Sequence, residues 1–141
     1  MKKETTVKGK RFLVVDDSRS MKVIVKKILG KCVANCDILE ADDGKEAINV
    51  LLREKVDVII TDLAMPGMDG IELVKQARQL ENGKFIPIII LSAETDETIG
   101  QSRKYGITAW ISKPFTEDEF VKVLKKVIPG ICDIKILHQV I

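Results

Sequence analysis

The sequence predicts a doubly wound α/β fold, a five-stranded parallel sheet with five helices, and three observations carry that reading. Short apolar runs and amphipathic stretches alternate five times along the chain. The apolar runs are nearly continuous rather than interleaved with polar residues, as in parallel strands covered on both faces. Parallel strands also need crossover connections, and a helix after each strand supplies both the crossover and the covering layer.

Each element follows in order. Arg11 to Val15 is a short apolar strand that ends in Asp16 and Asp17. Met21, Ile24, Val25, Ile28 and Leu29 then recur at helical spacing, and Gly30 is the expected C-terminal cap. Cys36 to Ala41 is the second strand; Asp43-Gly44 opens a helix whose apolar face is Ala47, Ile48, Leu51 and Leu52. Val56 to Thr61 is the third strand and runs into Asp62. Pro66 to Gly70 is dense in turn residues and forms a loop, with Asp69 and Gly70 capping a third helix marked by Ile71, Val74 and Ala77. Ile86 to Leu91, almost purely apolar, is the central fourth strand. Thr95 to Tyr105 is a weakly amphipathic fourth helix closed by Gly106, and Ala109 to Ser112 a short fifth strand. Lys113-Pro114-Phe115 breaks the chain before a last helix from Glu117 to Ile128, with Phe120, Leu124, Val127 and Ile128 on one side.

Composition bounds the function. A chain of 141 residues fits one domain, and 45% hydrophobic content supplies a core built from aliphatic residues, since aromatics are only 4%. The divisions expected are a basic leader over 1–9, a folded domain over 10–129 and an apolar extension over 130–141. Lys and Arg number 23 against 21 Asp and Glu, so a net charge of +2 gives no argument for nucleic-acid or membrane binding. The first eleven residues lack the apolar stretch of a signal peptide, and no run approaches the roughly 20 apolar residues that span a bilayer. The expected location is the cytoplasm. Cys32, Cys36 and Cys132 have no histidine but His138 for company, which is too few ligands for zinc and leads to an expectation of reduced thiols.

In open α/β sheets ligands bind beyond the carboxyl ends of the strands. Polar residues gather there: Asp16 and Asp17 after strand one, Asp62 at strand three, Ser92 at strand four and Lys113 at strand five. Three carboxylates packed together repel one another and invite a divalent cation. Oxygen ligands without His or Cys favour Mg²⁺, which keeps coordination sites for phosphate oxygens. A carboxylate can attack phosphorus to give an acyl phosphate, and an ammonium, a hydroxyl and a metal can stabilise the transferring group. The set is coherent as a metal-assisted phosphoryl acceptor. Taken singly, Asp16 is a favoured helix cap, Ser92 a strand-end turn residue, Lys113 a solvated loop lysine and Trp110 a core aromatic.

The chain resembles the receiver domains of two-component response regulators, and within them the chemotaxis type. The likeness rests on Val14-Val15-Asp16-Asp17-Ser18, Asp62-Leu63-Ala64-Met65-Pro66-Gly67-Met68-Asp69-Gly70, Leu91-Ser92-Ala93 and Lys113-Pro114-Phe115, and covers about Lys10 to Ile128. It implies a flavodoxin-like sheet of order 2-1-3-4-5 and a cis Lys113–Pro114 peptide. It implies Asp62 as phosphoacceptor, and Mg²⁺ held by Asp17, Asp16, Asp62 and the backbone carbonyl of Ala64. Lys113 and Ser92 would contact the phosphoryl oxygens, and Trp110 would be the large residue that follows Ser92. The implied partners are a histidine kinase or a histidine phosphotransfer domain upstream. Downstream a target protein would read the face made by helix 4, strand 5 and helix 5.

Alternatives remain open at this stage. Chemotaxis output, a phosphorelay intermediate and a receiver-like scaffold that is never phosphorylated all fit the motifs. An aspartyl phosphatase would place a second aspartate two residues after the nucleophile, where this chain has Ala64. The extension, with Ile131, Ile134, Ile136, Leu137, Val140 and Ile141, either covers the domain's own surface or pairs with a second copy, giving a monomer or a weak dimer.

Overall fold

The computed structural model describes residues 9–93 and 103–131. Five parallel strands, β1 (Arg11–Val15), β2 (Asp37–Ala41), β3 (Val58–Asp62), β4 (Ile88–Ser92) and β5 (Ala109–Ser112), form one sheet in the order β2-β1-β3-β4-β5. The helices are α1 (Arg19–Cys32), α2 (Gly44–Arg53), α3 (Gly70–Ala77) and α4 (Glu117–Val127), with 3₁₀ turns at Glu81–Gly83 and Arg103–Tyr105. Four helices are therefore described where five were expected. The expected helix from Thr95 to Tyr105 falls on residues outside the description up to 102, and its last three residues are the second 3₁₀ turn.

Alternation along each strand sorts the core into two layers. Phe12, Val14, Val58, Ile60, Ile89, Leu91 and Ile111 face α1 and α4, where Val25, Leu29, Phe120 and Leu124 meet them. Leu13, Val15, Ile59, Ile88 and Ile90 face α2 and α3, against Ala47, Leu51, Leu73 and Val74. The central strands β1, β3 and β4 are thus covered on both faces, which explains why they read as nearly continuous apolar runs.

Each helix begins on a side-chain cap that accepts a backbone N–H: Ser18 from Met21, Asp43 from Glu46, Asp69 from Glu72 and Thr116 from Glu119. At α4 the Glu119 carboxylate also accepts from the Thr116 N–H, completing a capping box. At the opposite end of the sheet, Arg78 donates to the carbonyls of Gly83, Ile86 and Gly106, tying α3 to the starts of β4 and β5. Its burial lowers the guanidinium's pKa from the ordinary value.

Four expectations change. Gly30 does not end α1, which continues to Cys32 and closes on the Val33 N–H bonded to Leu29. Ile24 is exposed, because it stands about 100° around the helix from Val25, outside the stripe that meets the sheet. Lys22 takes an inward place instead. Leu52 on α2 is likewise turned to solvent, and Val50 replaces it in the core. Finally, Cys32 is disulfide-bonded rather than a reduced thiol, while Cys36 keeps its thiol; Cys132 lies outside the described residues. Cys32 packs against the cluster that also buries Ile131, a proximity no spacing along the chain reveals.

Candidate functional site

The expected residues meet at the carboxyl ends of β1, β3, β4 and β5. Alternation carries Asp16, Asp62 and Lys113 toward the same side, since each continues the parity of Val14, Ile60 and Ile111. Lys113, 51 residues beyond Asp62 in the chain, donates from Nζ to Asp62 Oδ1 at 2.8 Å. The same ammonium lies 3.9 Å from Asp16 Oδ2. Asp16, Asp17 and Asp62 each offer an oxygen within 4.8 Å of the others. Asp16 and Asp62 are buried and Asp17 is exposed, so the cluster opens to solvent through Asp17.

Asp16 does not cap α1; Ser18 does, and Asp16 Oδ1 accepts the Ser18 N–H at 2.8 Å. Its other oxygen, Oδ2, is buried without a hydrogen-bond partner among the described residues. Burial first, then the Asp62 and Asp17 charges, raises the Asp16 pKa above the ordinary carboxylate value, against the lowering by the Ser18 N–H and Lys113. Three carboxylates facing one ammonium, with one oxygen lacking a hydrogen bond and no nitrogen or sulfur ligand among the described residues, fit a hard divalent cation such as Mg²⁺.

Ser92 is buried at the end of β4, and its carbonyl accepts the Lys113 N–H at 2.8 Å. That bond registers β4 against β5 and sets where the Lys113 side chain starts. The Lys113–Pro114 peptide is cis. Ala64 lies two residues past Asp62 with its side chain exposed. Trp110 is half-buried on the other sheet face, against the layer containing Ile90 and Ile107.

Two supporting residues escaped the sequence reading. Gly70 was expected only to cap a helix, yet a Cβ there would stand 2.5 Å from the Asp62 carbonyl oxygen and 3.0 Å from Leu63 Cα. Its N–H also bonds the Leu63 carbonyl at 2.7 Å, so the absence of a side chain lets α3 press on the Asp62 backbone and fix it. Lys22, buried on α1, pairs with Asp42 beyond β2, binding the first turn of α1 to the neighbouring rim. A lysine on a helix face flanked by Val25 and Leu29 was the available signal for the second; nothing local signals the first.

Residues 12–125 match the family model of the response regulator receiver domain. The chain is 37% identical over 121 residues to the chemotaxis protein CheY-3 of Vibrio cholerae, covering 85% of this chain and 92% of that protein. Among solved structures, chemotaxis protein CheY4 of Vibrio cholerae superposes with a TM-score of 0.78 at 36% identity, covering 85% of this chain and 99% of that one. The receiver domain of sensor histidine kinase PA1611 from Pseudomonas aeruginosa, which holds a magnesium ion in its active-site cleft, superposes with a TM-score of 0.75 at 26% identity, covering 85% and 98%.

Proposed function

This chain belongs to the response regulator receiver domain family, and we propose that Asp62 is its phosphoacceptor, taking a phosphoryl group from a phosphohistidine in an Mg²⁺-dependent reaction. The observation that carries this reading is the 2.8 Å contact of Lys113 Nζ with Asp62 Oδ1 inside a cluster of three carboxylates. Receiver domains act as signalling proteins between histidine kinases and downstream targets, and the likeness to chemotaxis proteins supports chemotaxis as the pathway.

The chemistry follows from the residues. A carboxylate oxygen of Asp62 forms the new O–P bond as the P–N bond of the donor imidazole breaks, the electron pair returning to the ring nitrogen. Lys113 already holds Oδ1, which fixes the carboxylate and leaves the second oxygen as the one not engaged by the ammonium. The same ammonium and the Ser92 hydroxyl then hold two phosphoryl oxygens. Asp16, Asp17, Asp62 and the Ala64 carbonyl would hold Mg²⁺, which would neutralise the carboxylates and the charge on the transferring group. The chain thereby acts only on its own carboxylate.

The reading extends to the rest of the molecule. The receiver spans 10–129, with 1–9 as leader and 130–141 as extension. Ser92 reports phosphorylation to Trp110, and a target protein reads the face made by the fourth helix expected over 95–105, β5 and the last helix, α4. The near-neutral charge supports a protein partner rather than nucleic acid or a membrane surface. Among the described residues no helix is long and apolar enough to cross a membrane, and the cytoplasm is the proposed location.

Acetyl phosphate with Mg²⁺ tests the proposal by intact mass. A gain of one phosphoryl group is expected, absent with EDTA and absent in Asp62→Asn. No gain, together with no binding of beryllofluoride, overturns it.

A further inference from the structure

Past α4 a tight turn brings the chain back onto the core. Gly130 takes a φ of 86°, a left-handed backbone that glycine adopts without steric cost, and the Ile131 N–H bonds the Ile128 carbonyl at 3.1 Å. Ile131 is thereby buried in the layer against which Cys32, the last residue of α1, and Cys36 also pack. The chain holds three cysteines, of which Cys32 is disulfide-bonded and Cys36 keeps its thiol. Within one chain that leaves Cys132, next in sequence after Ile131, as the sulfur for Cys32. A disulfide needs Cα atoms within about 7 Å of each other, and the burial of Ile131 in the Cys32 layer supplies such an approach.

We propose that Cys32 and Cys132 form a redox-reversible disulfide that pins the start of the C-terminal extension to the end of α1 in the same chain. The extension then belongs to its own domain rather than to a second copy. In a reducing compartment a bond of this kind forms and breaks with the thiol–disulfide poise instead of being permanent. The oxidant is a low-molecular-weight disulfide such as glutathione disulfide. One cysteine thiolate attacks it, forming a mixed disulfide and releasing one thiol; the second cysteine then attacks the first cysteine's sulfur and releases the other thiol. Two protein thiols lose two electrons and two protons, and the oxidant takes up both. The bond closes a loop of about 100 residues holding β2 to β5, so it removes freedom mainly from the unfolded chain. Cys32 stands at the far end of α1 from Ser18 and the acidic site, so the staple acts on stability and leaves the phosphoacceptor chemistry alone.

The full chain, reduced and then equilibrated with glutathione disulfide, is alkylated with N-ethylmaleimide and weighed intact. The reduced chain takes three alkyl groups, one for each cysteine. The oxidised chain is expected to be a monomer with one, which peptide sequencing places on Cys36 while linking Cys32 to Cys132. Its melting temperature is expected to exceed that of the reduced chain by roughly 10 °C. Cys32→Ser and Cys132→Ser each abolish that difference, and Cys36→Ser keeps it. Three alkyl groups or glutathione adducts after oxidation, an alkyl group on Cys32, a disulfide-linked dimer, or a bond that leaves the melting temperature unchanged overturns the proposal. None of these outcomes bears on the phosphoacceptor reading, which beryllofluoride binding decides separately.

Discussion

The two ends of the sheet carry similar residues in different states of balance. At the amino end Arg11 bonds Asp37 through Nε at 2.8 Å and Glu54 through Nη1 at 3.1 Å. Asp57 accepts the Arg11 backbone N–H at 2.8 Å, and Lys10 and Lys55 line the same open cleft. Three acids meet three bases there, largely in water. Among the described residues at the carboxyl end, three carboxylates face one ammonium, two of the acids are buried, and one oxygen has no hydrogen bond. Paired, hydrated charges hold strands together and have little left to offer a ligand. Unbalanced, partly desolvated charges are held in place by the surrounding fold and gain by meeting a cation. The number of acids does not distinguish the two ends; the number left without a base does.

The largest expected difference is all-or-none. Asp62→Asn abolishes phosphoryl incorporation from acetyl phosphate, while Asp57→Asn at the amino end leaves it unchanged by intact mass. Incorporation that disappears in both would erase the contrast. Next, Lys113→Met slows phosphorylation by about 10²-fold, as loss of a preorganised charge does. It also tightens Mg²⁺ binding, because the carboxylates lose their neighbouring cation. Rapid-quench phosphorylation and a metal titration measure the two effects, and weaker Mg²⁺ binding would contradict the charge argument.

Asp16→Asn sharpens the comparison by trading stability against binding. Removing a buried charge is expected to stabilise the metal-free protein by about 1–3 kcal/mol while weakening Mg²⁺. Thermal melts with and without Mg²⁺ should show a higher baseline and a smaller metal-induced rise. A lower melting temperature without metal would mean that Asp16 is already satisfied. The smallest effect is at the amino end. Arg11→Met should cost about 1 kcal/mol or less, since its ion pairs are exposed, and leave the Mg²⁺ affinity alone. A changed Mg²⁺ affinity there would show coupling through the sheet.

Much of this was legible in the chain itself. Continuous apolar runs, breakers such as Gly67 and Pro114, and cap residues such as Asp43 and Asp69 are local signals, and they fixed strand and helix identity in the described residues. The positions of Asp16, Asp62, Ser92 and Lys113 at strand ends were equally local, because a strand's end is set by the pattern around it. Tertiary packing decided what no window contains. It turned Ile24 and Leu52 outward and Lys22 inward, since the stripe that meets the sheet depends on how each helix lies. It set Gly70 against the Asp62 backbone and drew Cys32 into a disulfide. It also left Asp16 Oδ2 and Trp110 Nε1 without hydrogen-bond partners among the described residues. A residue's type and its local period are properties of the sequence, whereas whether its polar atoms find a partner depends on chain segments that only folding brings within reach.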